Sequence, residues 1–323
     1  MRFATYVHQH QTHAAVVEAD GTLYPVPGVR SLTELIESAD GLAALLQTGA
    51  ASLGAPPGPH VSQVRLLPPL QPTSIRDFVT FEEHVEGVRR SVDGVSGVPE
   101  QWYAAPTFYF TNPHAVFGPH DDIPMPPGSA LLDYELEVAA VIGREGRDLT
   151  PGQARDHIVG YTVFNDWSAR DLQSAEMKVG LGPCKGKDTA TTLGPCLVTA
   201  DELEPYRDGD GFLRLALTAD VNGQVVGKDL LSNMSWTFEE MVAYASRGTR
   251  VVPGDVLGSG TCGNGGCLAE LWGIRGEHTP PPLRAGDTVT LTAEGIGSVS
   301  NTVVPGADPV PLPAGRRRTR ERP

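Results

Sequence analysis

The sequence predicts a mainly β fold with short helices, an α+β class in which a small N-terminal β domain precedes a larger domain. Two observations indicate this class. The chain of 323 residues contains 37 glycines and 28 prolines, a composition that favours many turns and few long helices. Short apolar stretches also alternate with these turn residues, as expected of β-strands. The length is sufficient for one large domain and a smaller one.

The N-terminal region begins with an expected β-hairpin over residues 1–24. Two apolar-rich stretches there flank Asp20-Gly21, a dipeptide that favours a tight turn. Ser31 then precedes apolar residues at helical spacing, which predicts a helix that begins after it. The stretch 55–73 is rich in proline and predicts a linker or an extended edge.

These boundaries predict three segments. Residues 1–68 are the small N-terminal domain, residues 69–310 are the main domain, and residues 311–323 are a basic disordered tail. Within the main domain, Thr237 and Glu240 form a capping-box pattern before an apolar stripe, which predicts a helix.

Composition and charge exclude several classes of function. The net charge is −14, which argues against nucleic acid or an anionic membrane as a partner because both require a basic surface. No apolar run approaches the roughly 18 residues of a membrane-spanning helix, and the first residues lack the apolar core of a signal peptide. The four cysteines form no C-x-x-C pair. We therefore expect a cytoplasmic protein with reduced thiols.

Three carboxylates occur at alternate positions of one predicted strand, residues 131–138. Asp133, Glu135 and Glu137 would share one face at intervals of roughly 7 Å, where they repel one another unless a cation neutralises them. An apolar run follows directly, as expected of a central strand. The pattern therefore predicts a site for Mg²⁺, Mn²⁺ or Ca²⁺, with zinc disfavoured because histidine and cysteine are absent from it. The alternative is a half-exposed strand whose acidic residues face water.

A second acidic element follows the strand-like stretch 157–164. It begins Asn165-Asp166, so Asp166 lies where an apolar strand ends, a usual position for a ligand or catalytic residue. The full phrase, residues 165–173, reads Asn-Asp-Trp-Ser-Ala-Arg-Asp-Leu-Gln.

This phrase resembles the corresponding segment of the fumarylacetoacetate hydrolase family, as does the stretch from Asp133 to Glu137 that runs into an apolar strand. The similarity extends over roughly residues 75–305, and the motifs occur in the family's order. It implies that family's mixed β-roll or barrel-like fold, a homodimer, and a divalent cation, with Mg²⁺ the first expectation and Mn²⁺ or Ca²⁺ also possible.

The resemblance assigns roles residue by residue. The residues that match the family's metal ligands are Asp77, Glu135, Glu137 and Asp166. The residues that match its catalytic machinery are His84, Glu270 and Lys187, with Lys185 as the alternative lysine. Glu270 matches the glutamate that orients this histidine. The residues that match its substrate contacts are Arg170, Gln173, Tyr109 and Thr261. Asp133 matches no ligand and is expected to support the site.

The implied activity is hydrolysis of a C–C bond in a 1,3-diketo acid, fumarylacetoacetate-like or acylpyruvate-like, in aromatic or sugar-acid catabolism. The cation would act as a Lewis acid while a His–Glu pair activates water. The alternative within the family is a hydratase, decarboxylase, isomerase or tautomerase of 2-oxo acids. In one lyase-like branch the glutamate partner lies three residues after the histidine; that position here is Gly87, which favours the hydrolase. A non-catalytic metal-binding scaffold would be expected to lack His84, Glu270 or Lys187.

Three side chains carry further expectations of their own. Without the family context, His84 would be read as a surface residue. Glu270, between Ala269 and Leu271, is predicted to occupy a buried strand position, where an unpaired carboxylate is costly. Cys267 has no histidine motif beside it in the sequence, which argues against a nucleophilic cysteine.

Overall fold

Most regular structure in the computed structural model is β-strand, and the structure describes residues 1–316 apart from the side chains of residues 92 and 93. The strands, in chain order, are β1 (Arg2–His8), β2 (Gln11–Val17), β3 (Leu23–Pro25), β4 (Arg65–Leu66), β5 (Ile75–Phe78), β6 (Phe108–Thr111), β7 (Val116–Phe117), β8 (Ile123–Pro124), β9 (Leu132–Asp133), β10 (Leu136–Ile142), β11 (Gly146–Arg147), β12 (Ile158–Asp166), β13 (Ser168–Ala169), β14 (Thr191–Thr199), β15 (Ala216–Val221), β16 (Gln224–Leu230), β17 (Arg250–Val251), β18 (Val256–Gly258), β19 (Thr288–Ala293) and β20 (Gly297–Val304). The predicted class, mainly β with short helices, is confirmed.

The α-helices are short, and the longest has 12 residues. They are α1 (Leu32–Ser38), α2 (Leu42–Leu53), α3 (Glu82–Val88), α4 (Pro151–Ala154), α5 (Arg170–Met177), α6 (Ala200–Leu203), α7 (Phe238–Ser246) and α8 (Leu268–Arg275). Among residues 1–316, none of these helices has the length and apolar character that crossing a bilayer requires.

A large sheet of eleven strands organises the molecule. Its main path runs β3-β2-β1-β14-β12-β10-β18-β5-β6, with β4 paired to β1 and β7 paired to β14. A second sheet has the order β16-β15-β19-β20-β8. The path of the large sheet does not return to its first strand, so the described residues form no closed barrel. The strands β12, β10, β18 and β5 are consecutive neighbours, and their ends build the candidate site.

Strand β10 is buried on both faces, as its apolar sequence predicts for a central strand. Val138 and Ala140 belong to the core that also contains Leu291 of the second sheet. The alternate residue Ala139 belongs to a different core, together with Leu45 of α2. Because side chains alternate across a strand, β10 contacts both layers and holds the carboxylates at its start in a fixed position.

The N-terminal region begins differently from the expected hairpin. Strands β1 and β2 pair from Phe3 with Val16 to His8 with Gln11, so the turn between them is Gln9-His10. Both turn residues have positive φ, a backbone form for which Asn and Gly are the usual residues. Because this turn contains neither, the sequence did not indicate it. Asp20-Gly21 makes the next turn, which leads into β3.

The predicted small domain shares the large sheet with the rest of the chain. Strand β1 pairs with β14 through Arg2 with Val198 and Phe3 with Leu197. The boundary between residues 68 and 69 stays a prediction. The predicted basic tail, 311–323, lies partly outside the described residues. Its described part, 311–316, is exposed and has no helix or strand.

Both predicted helix starts are confirmed. The Ser31 hydroxyl accepts a hydrogen bond from the Glu34 backbone N–H at 3.2 Å and caps α1. At α7 the capping box is complete: the Thr237 hydroxyl accepts from the Glu240 backbone N–H, and the Glu240 carboxylate accepts from the Thr237 backbone N–H. Such caps satisfy backbone donors that the first helical turn leaves free.

Candidate active site

The strand ends at one edge of the large sheet bring four carboxylates together. Asp77 lies in β5, Glu137 in β10 and Asp166 at the end of β12, while Glu135 directly precedes β10. The register aligns these positions, since Asp77 pairs with Gly258 of the intervening strand β18. All four carboxylate residues are at most 3% exposed. The alternative of acidic side chains in water is therefore wrong.

The predicted strand over residues 131–138 is interrupted between β9 and β10. The Asp133 carboxylate accepts a hydrogen bond from the Tyr134 backbone N–H at 2.8 Å, and the Glu135 backbone N–H donates to the Asn165 side-chain oxygen at 2.9 Å. These side chains take donors that a regular ladder would use. The interruption separates Asp133 from the regular alternation of Glu135 and Glu137.

The carboxylates lie close enough to hold one cation. Asp77, Glu135 and Glu137 each offer an oxygen within 4.8 Å of the others. Burial, together with repulsion from neighbouring carboxylates, holds the pKa of Asp77 and of Glu137 well above the usual range. The two residues therefore lie close together in a site where their negative charges repel each other.

Two cationic side chains offset part of this charge. The Lys187 ammonium donates to Glu135 Oε2 at 2.5 Å and to Asp166 Oδ2 at 2.6 Å. The Arg170 guanidinium donates to Glu135 Oε1 at 2.7 Å and to Asp133 Oδ2 at 2.9 Å. Although burial alone would raise the pKa of Glu135, the two cations hold it below its usual range.

The donor set fits a divalent cation. With Asp133 included, the five buried carboxylates are offset by just two cationic side chains among residues 1–316, Lys187 and Arg170, which leaves an excess of negative charge. Asp77 Oδ1 and Asp166 Oδ1 are buried and have no hydrogen-bond partner within the described residues. Carboxylate oxygens are the ligands of Mg²⁺, Mn²⁺ and Ca²⁺, and a buried oxygen without a partner is costly unless a cation or water contacts it. The side chains that could hold the ion are Asp77, Glu135, Glu137 and Asp166.

Strand β18 and the loop after it support Glu137. The Gly260 backbone N–H donates to Glu137 Oε2 at 2.8 Å, and the Thr261 hydroxyl lies 3.4 Å from Glu137 Oε1. A Cβ at Gly258 would lie 2.7 Å from Asp77 Oδ1 and 2.9 Å from Glu137 Oε2. The two carboxylates can therefore approach each other only because residue 258 has no side chain.

His84 projects from α3 into the same site and is buried, so the expectation of a surface residue is wrong. Its Nε2 lies 3.9 Å from Glu135 Oε1, and its Nδ1 lies 3.6 Å from Cys267 Sγ. Burial, reinforced by Arg170 and Lys187, lowers the pKa of His84 to about 4 even though Glu135 opposes the shift. The imidazole is therefore neutral at pH 7.

Glu270 lies in helix α8 and not in a strand, so that prediction was wrong in element but right in burial. The short apolar segment around Glu270 is compatible with either a strand or a helix, and the glycine-rich loop before it contains no recognisable signal for a helix start. Its Oε1 accepts from the Gly265 backbone N–H at 3.3 Å. No hydrogen bond joins it to His84 within the described part of the chain. Burial raises the pKa of Glu270 to about 7.

Gly87 provides the space that Glu270 fills. A Cβ at Gly87 would lie 2.5 Å from the Glu270 Cγ, which is too close for any side chain. A glutamate at position 87, three residues after His84, would therefore require the Glu270 side chain to shift or to be replaced by a smaller one.

The remaining predicted substrate residues lie around the carboxylates. The Tyr109 hydroxyl donates to Asp166 Oδ2, and Gln173 Oε1 accepts from Arg170 at 3.1 Å. Lys185 is exposed and pairs with Asp188 at 2.7 Å, whereas Lys187 is buried in the site. Of the two lysines, Lys187 alone contacts the carboxylates in the described residues.

Asp133 and Cys267 also contact residues of the site; a supporting role was expected of Asp133, and no role was expected of Cys267. Asp133 accepts hydrogen bonds from the backbone N–H groups of Leu268 and Ala269 at 2.8 and 2.9 Å. It therefore holds both the start of α8 and the Arg170 guanidinium. Cys267 caps the same helix and contacts His84. Burial holds the pKa of the Cys267 thiol well above its usual range. The thiol is therefore not an activated nucleophile, although the missing histidine partner was the wrong reason for that expectation.

A cavity of about 480 Å³ opens onto these groups. Its polar lining residues include Asp77, His84, Glu135 and Lys187. Its volume lies in the range of about 300–1,000 Å³ that small-molecule sites occupy. The arrangement can therefore admit a ligand whose head contacts the carboxylates, the ammonium and the imidazole together.

Comparison with known proteins identifies a family. The family model described as fumarylacetoacetate (FAA) hydrolase C-terminal matches residues 73–304. The mitochondrial oxaloacetate tautomerase of Xenopus laevis is 36% identical over 193 residues, which cover 59% of this chain and 55% of that protein. The match thus spans about half the length of that relative.

Solved structures show the same fold. A fumarylacetoacetate hydrolase from the psychrophile Exiguobacterium antarcticum has a TM-score of 0.73 and 27% identity, covering 94% of this chain and 99% of that chain. A maleylpyruvate hydrolase from Sphingobium sp. SYK-6, in complex with manganese(II) ion and pyruvate, has a TM-score of 0.69 at 21% identity, covering 95% of this chain and 100% of that chain. The second likeness supports the fold alone.

Replacing Gly258 by alanine is expected to weaken Mg²⁺ or Mn²⁺ binding by at least about tenfold, because the new Cβ would press on the Asp77 and Glu137 carboxylates. Isothermal titration calorimetry of the metal-free protein measures this. Gly152→Ala is the matched control, since a Cβ there meets no atom within 4 Å. Equal affinities in the two variants would contradict the assignment of these carboxylates to one cation site.

Replacing Glu270 by glutamine is expected to raise the free energy of unfolding relative to that of the wild type, and this difference should grow as the pH rises. The raised pKa means that the folded carboxyl stays neutral up to about pH 7, while the unfolded one ionises above its usual value of 4.5. The wild type therefore loses stability between these two pH values, by a few kcal/mol at most (roughly 1.4 kcal/mol per pKa unit), and the variant does not. Urea unfolding at pH 4.5, 6 and 8 measures the difference.

The exposed residue Glu277 provides the control. Its replacement by glutamine should leave the pH dependence unchanged. A stability difference between wild type and Glu270→Gln that is constant from pH 4.5 to 8 would rule out a buried, neutral Glu270.

Proposed function

Because the chain belongs to the fumarylacetoacetate hydrolase family, we propose that it is a metal-dependent hydrolase that cleaves a C–C bond in a 1,3-diketo acid. The observation that carries this proposal is the buried cluster of carboxylates at a sheet edge, with a neutral imidazole and an ammonium beside it. Cleavage beside a carbonyl requires an activated water and stabilisation of negative charge on oxygen, and these groups supply both.

The cation is the first component of the proposal. Asp77, Glu135, Glu137 and Asp166 would hold Mg²⁺ or Mn²⁺, which acts as a Lewis acid on the carbonyl oxygens of the substrate when bound. Arg170 fixes Glu135 through a short ion pair. The Asp133 carboxylate also pairs with that guanidinium, so a second layer of contacts orients the proposed ligand.

His84 is the proposed general base. Its neutral form can accept a proton from water, and its Nε2 faces the carboxylate side of the cavity. The contact between Nδ1 and Cys267 holds the other side of the ring. Glu270 lies on the helix that this cysteine caps. Because its pKa is raised to about 7, its carboxyl would favour the protonated imidazole after the transfer only once it is ionised above that pH.

Lys187 and Gln173 are the proposed donors to the developing oxyanion or enolate. Lys187 is buried, and although burial alone would lower its pKa, Asp166 and Glu135 raise it above the usual range. The ammonium is therefore charged at the pH of the reaction. In a site shielded from water, such a donor stabilises negative charge more strongly than in solution.

A tautomerase, isomerase, hydratase or decarboxylase of 2-oxo acids is the second candidate. The 36% identity to an oxaloacetate tautomerase favours it, and that chemistry needs a proton-transfer group but no attacking water. The chain has Glu270, and it has Gly87 where the lyase-like branch has its glutamate; this pattern favours the hydrolase.

Replacing Glu135 or His84 by alanine separates metal binding from chemistry. Both variants are expected to lose turnover by at least about a hundredfold. Only Glu135→Ala should also lose the metal, because its carboxylate lies among the proposed ligands. Elemental analysis of the purified proteins measures the metal. Equal metal loss in the two variants would refute the roles assigned to them.

A substrate screen decides between the two candidate functions. The metal-loaded protein is incubated with acylpyruvates, fumarylacetoacetate-like diketo acids and oxaloacetate, and the products are identified by NMR. Two acids from a diketo acid support hydrolysis. Enol–keto exchange, carbon dioxide or a hydrated product would support the second candidate and overturn the first.

A further inference from the structure

We propose that the substrate carries an apolar group beyond its charged head, so that the natural ligand is an acylpyruvate-like acid with a longer hydrocarbon or aromatic acyl group. For the charged head of the substrate, the inference rests on the proposed function. For the apolar tail, it rests on the apolar residues that line the cavity, and these residues take no part in the chemistry at the carboxylates.

Two helices lead from the polar end of the cavity to an apolar end. On α3, His84 lines the cavity, and Val88 lines it one turn further on. On α5, Arg170 contacts Glu135, Gln173 follows at one turn, and Met177 follows after another. Because each turn advances about 5.4 Å, both helices place their apolar residues further along the cavity than their polar ones.

Aromatic side chains add to the apolar lining of the cavity. Phe108 lines the cavity and packs against Phe78 with 5.0 Å between ring centroids. Trp102 also lines it, and its indole N–H donates to the Val79 carbonyl at 2.7 Å. The polar atom of the indole is therefore occupied, and the ring offers its carbon surface to a ligand.

A second carboxylate on the substrate would fit this end poorly. An ionised group placed among Val88, Trp102 and Met177 loses its hydration without a fixed partner, which is costly. Arg89 is the cationic residue beside Val88 in this lining; one of its nitrogens donates to the Gly97 carbonyl, and a preference for a dicarboxylate in the titration below would show that the guanidinium binds substrate instead. An alkyl or aryl group instead gains from burial, by up to about fourfold in affinity per methylene.

Binding of simple 2-oxo acids tests the proposal without requiring turnover. Pyruvate, 2-oxobutanoate, 2-oxohexanoate, 2-oxooctanoate and the dicarboxylate 2-oxoglutarate are titrated into the Mg²⁺-loaded protein by calorimetry. We expect the dissociation constant to fall about two- to fourfold for each added methylene, and 2-oxoglutarate to bind no more tightly than 2-oxobutanoate. No dependence on chain length, preference for the dicarboxylate, or no binding of any acid at millimolar concentration would overturn the proposal.

A matched pair of variants locates the effect. Met177 lines the cavity and is 45% exposed, so Met177→Lys should fold; it is expected to abolish the chain-length dependence and to strengthen 2-oxoglutarate binding. Val179 is 73% exposed and does not line the cavity, so Val179→Lys should bind the series as the wild type does. Equal chain-length dependence in both variants would overturn the assignment of the tail to this end.

The two proposals fail in different ways. If affinity rises with chain length but no acylpyruvate is cleaved, the apolar end is supported and the hydrolase is contradicted. If acylpyruvates are cleaved with the same kcat/KM whatever their acyl group, the hydrolase is supported and the apolar end is overturned.

Discussion

The balance of charge at one sheet edge is the constraint on which the rest of the structure depends. Four carboxylates converge there in the protein interior, and they cannot all remain ionised unless positive charge lies among them. Lys187 and Arg170 supply part of it through Glu135. Burial and the neighbouring carboxylates hold the pKa of Asp77 and of Glu137 well above the usual range, and a divalent cation would neutralise this excess of negative charge.

The fold maintains this convergence through its central strand. Strand β10 is held between two apolar cores, so the carboxylates at its start cannot retreat towards water without disrupting both. Gly258 leaves space for Asp77 and Glu137 to meet. Asp133 joins Arg170 to the start of α8, so the helix that carries Glu270 is positioned by the same charge network that positions Glu135.

Much of this could be predicted from the sequence, and the failures have physical causes. Alternating carboxylates before an apolar run predicted a cation site, and the run itself predicted the buried central strand that the structure contains. Helix starts followed from side chains that cap them. Glu270 was placed in a strand because a short apolar segment suits either element. The contact between Cys267 and His84 joins residues far apart in the chain, and no local pattern records such a contact.

Calorimetric titration of the metal-free protein with Mn²⁺ tests the central claim most directly, with the double variant Asp77→Asn/Glu137→Gln for comparison. The account predicts one saturable site per chain in the wild type, competition by Mg²⁺, and no saturable site in the folded double variant. It would be contradicted if the wild type bound no ion, or if the double variant bound Mn²⁺ with wild-type affinity and stoichiometry.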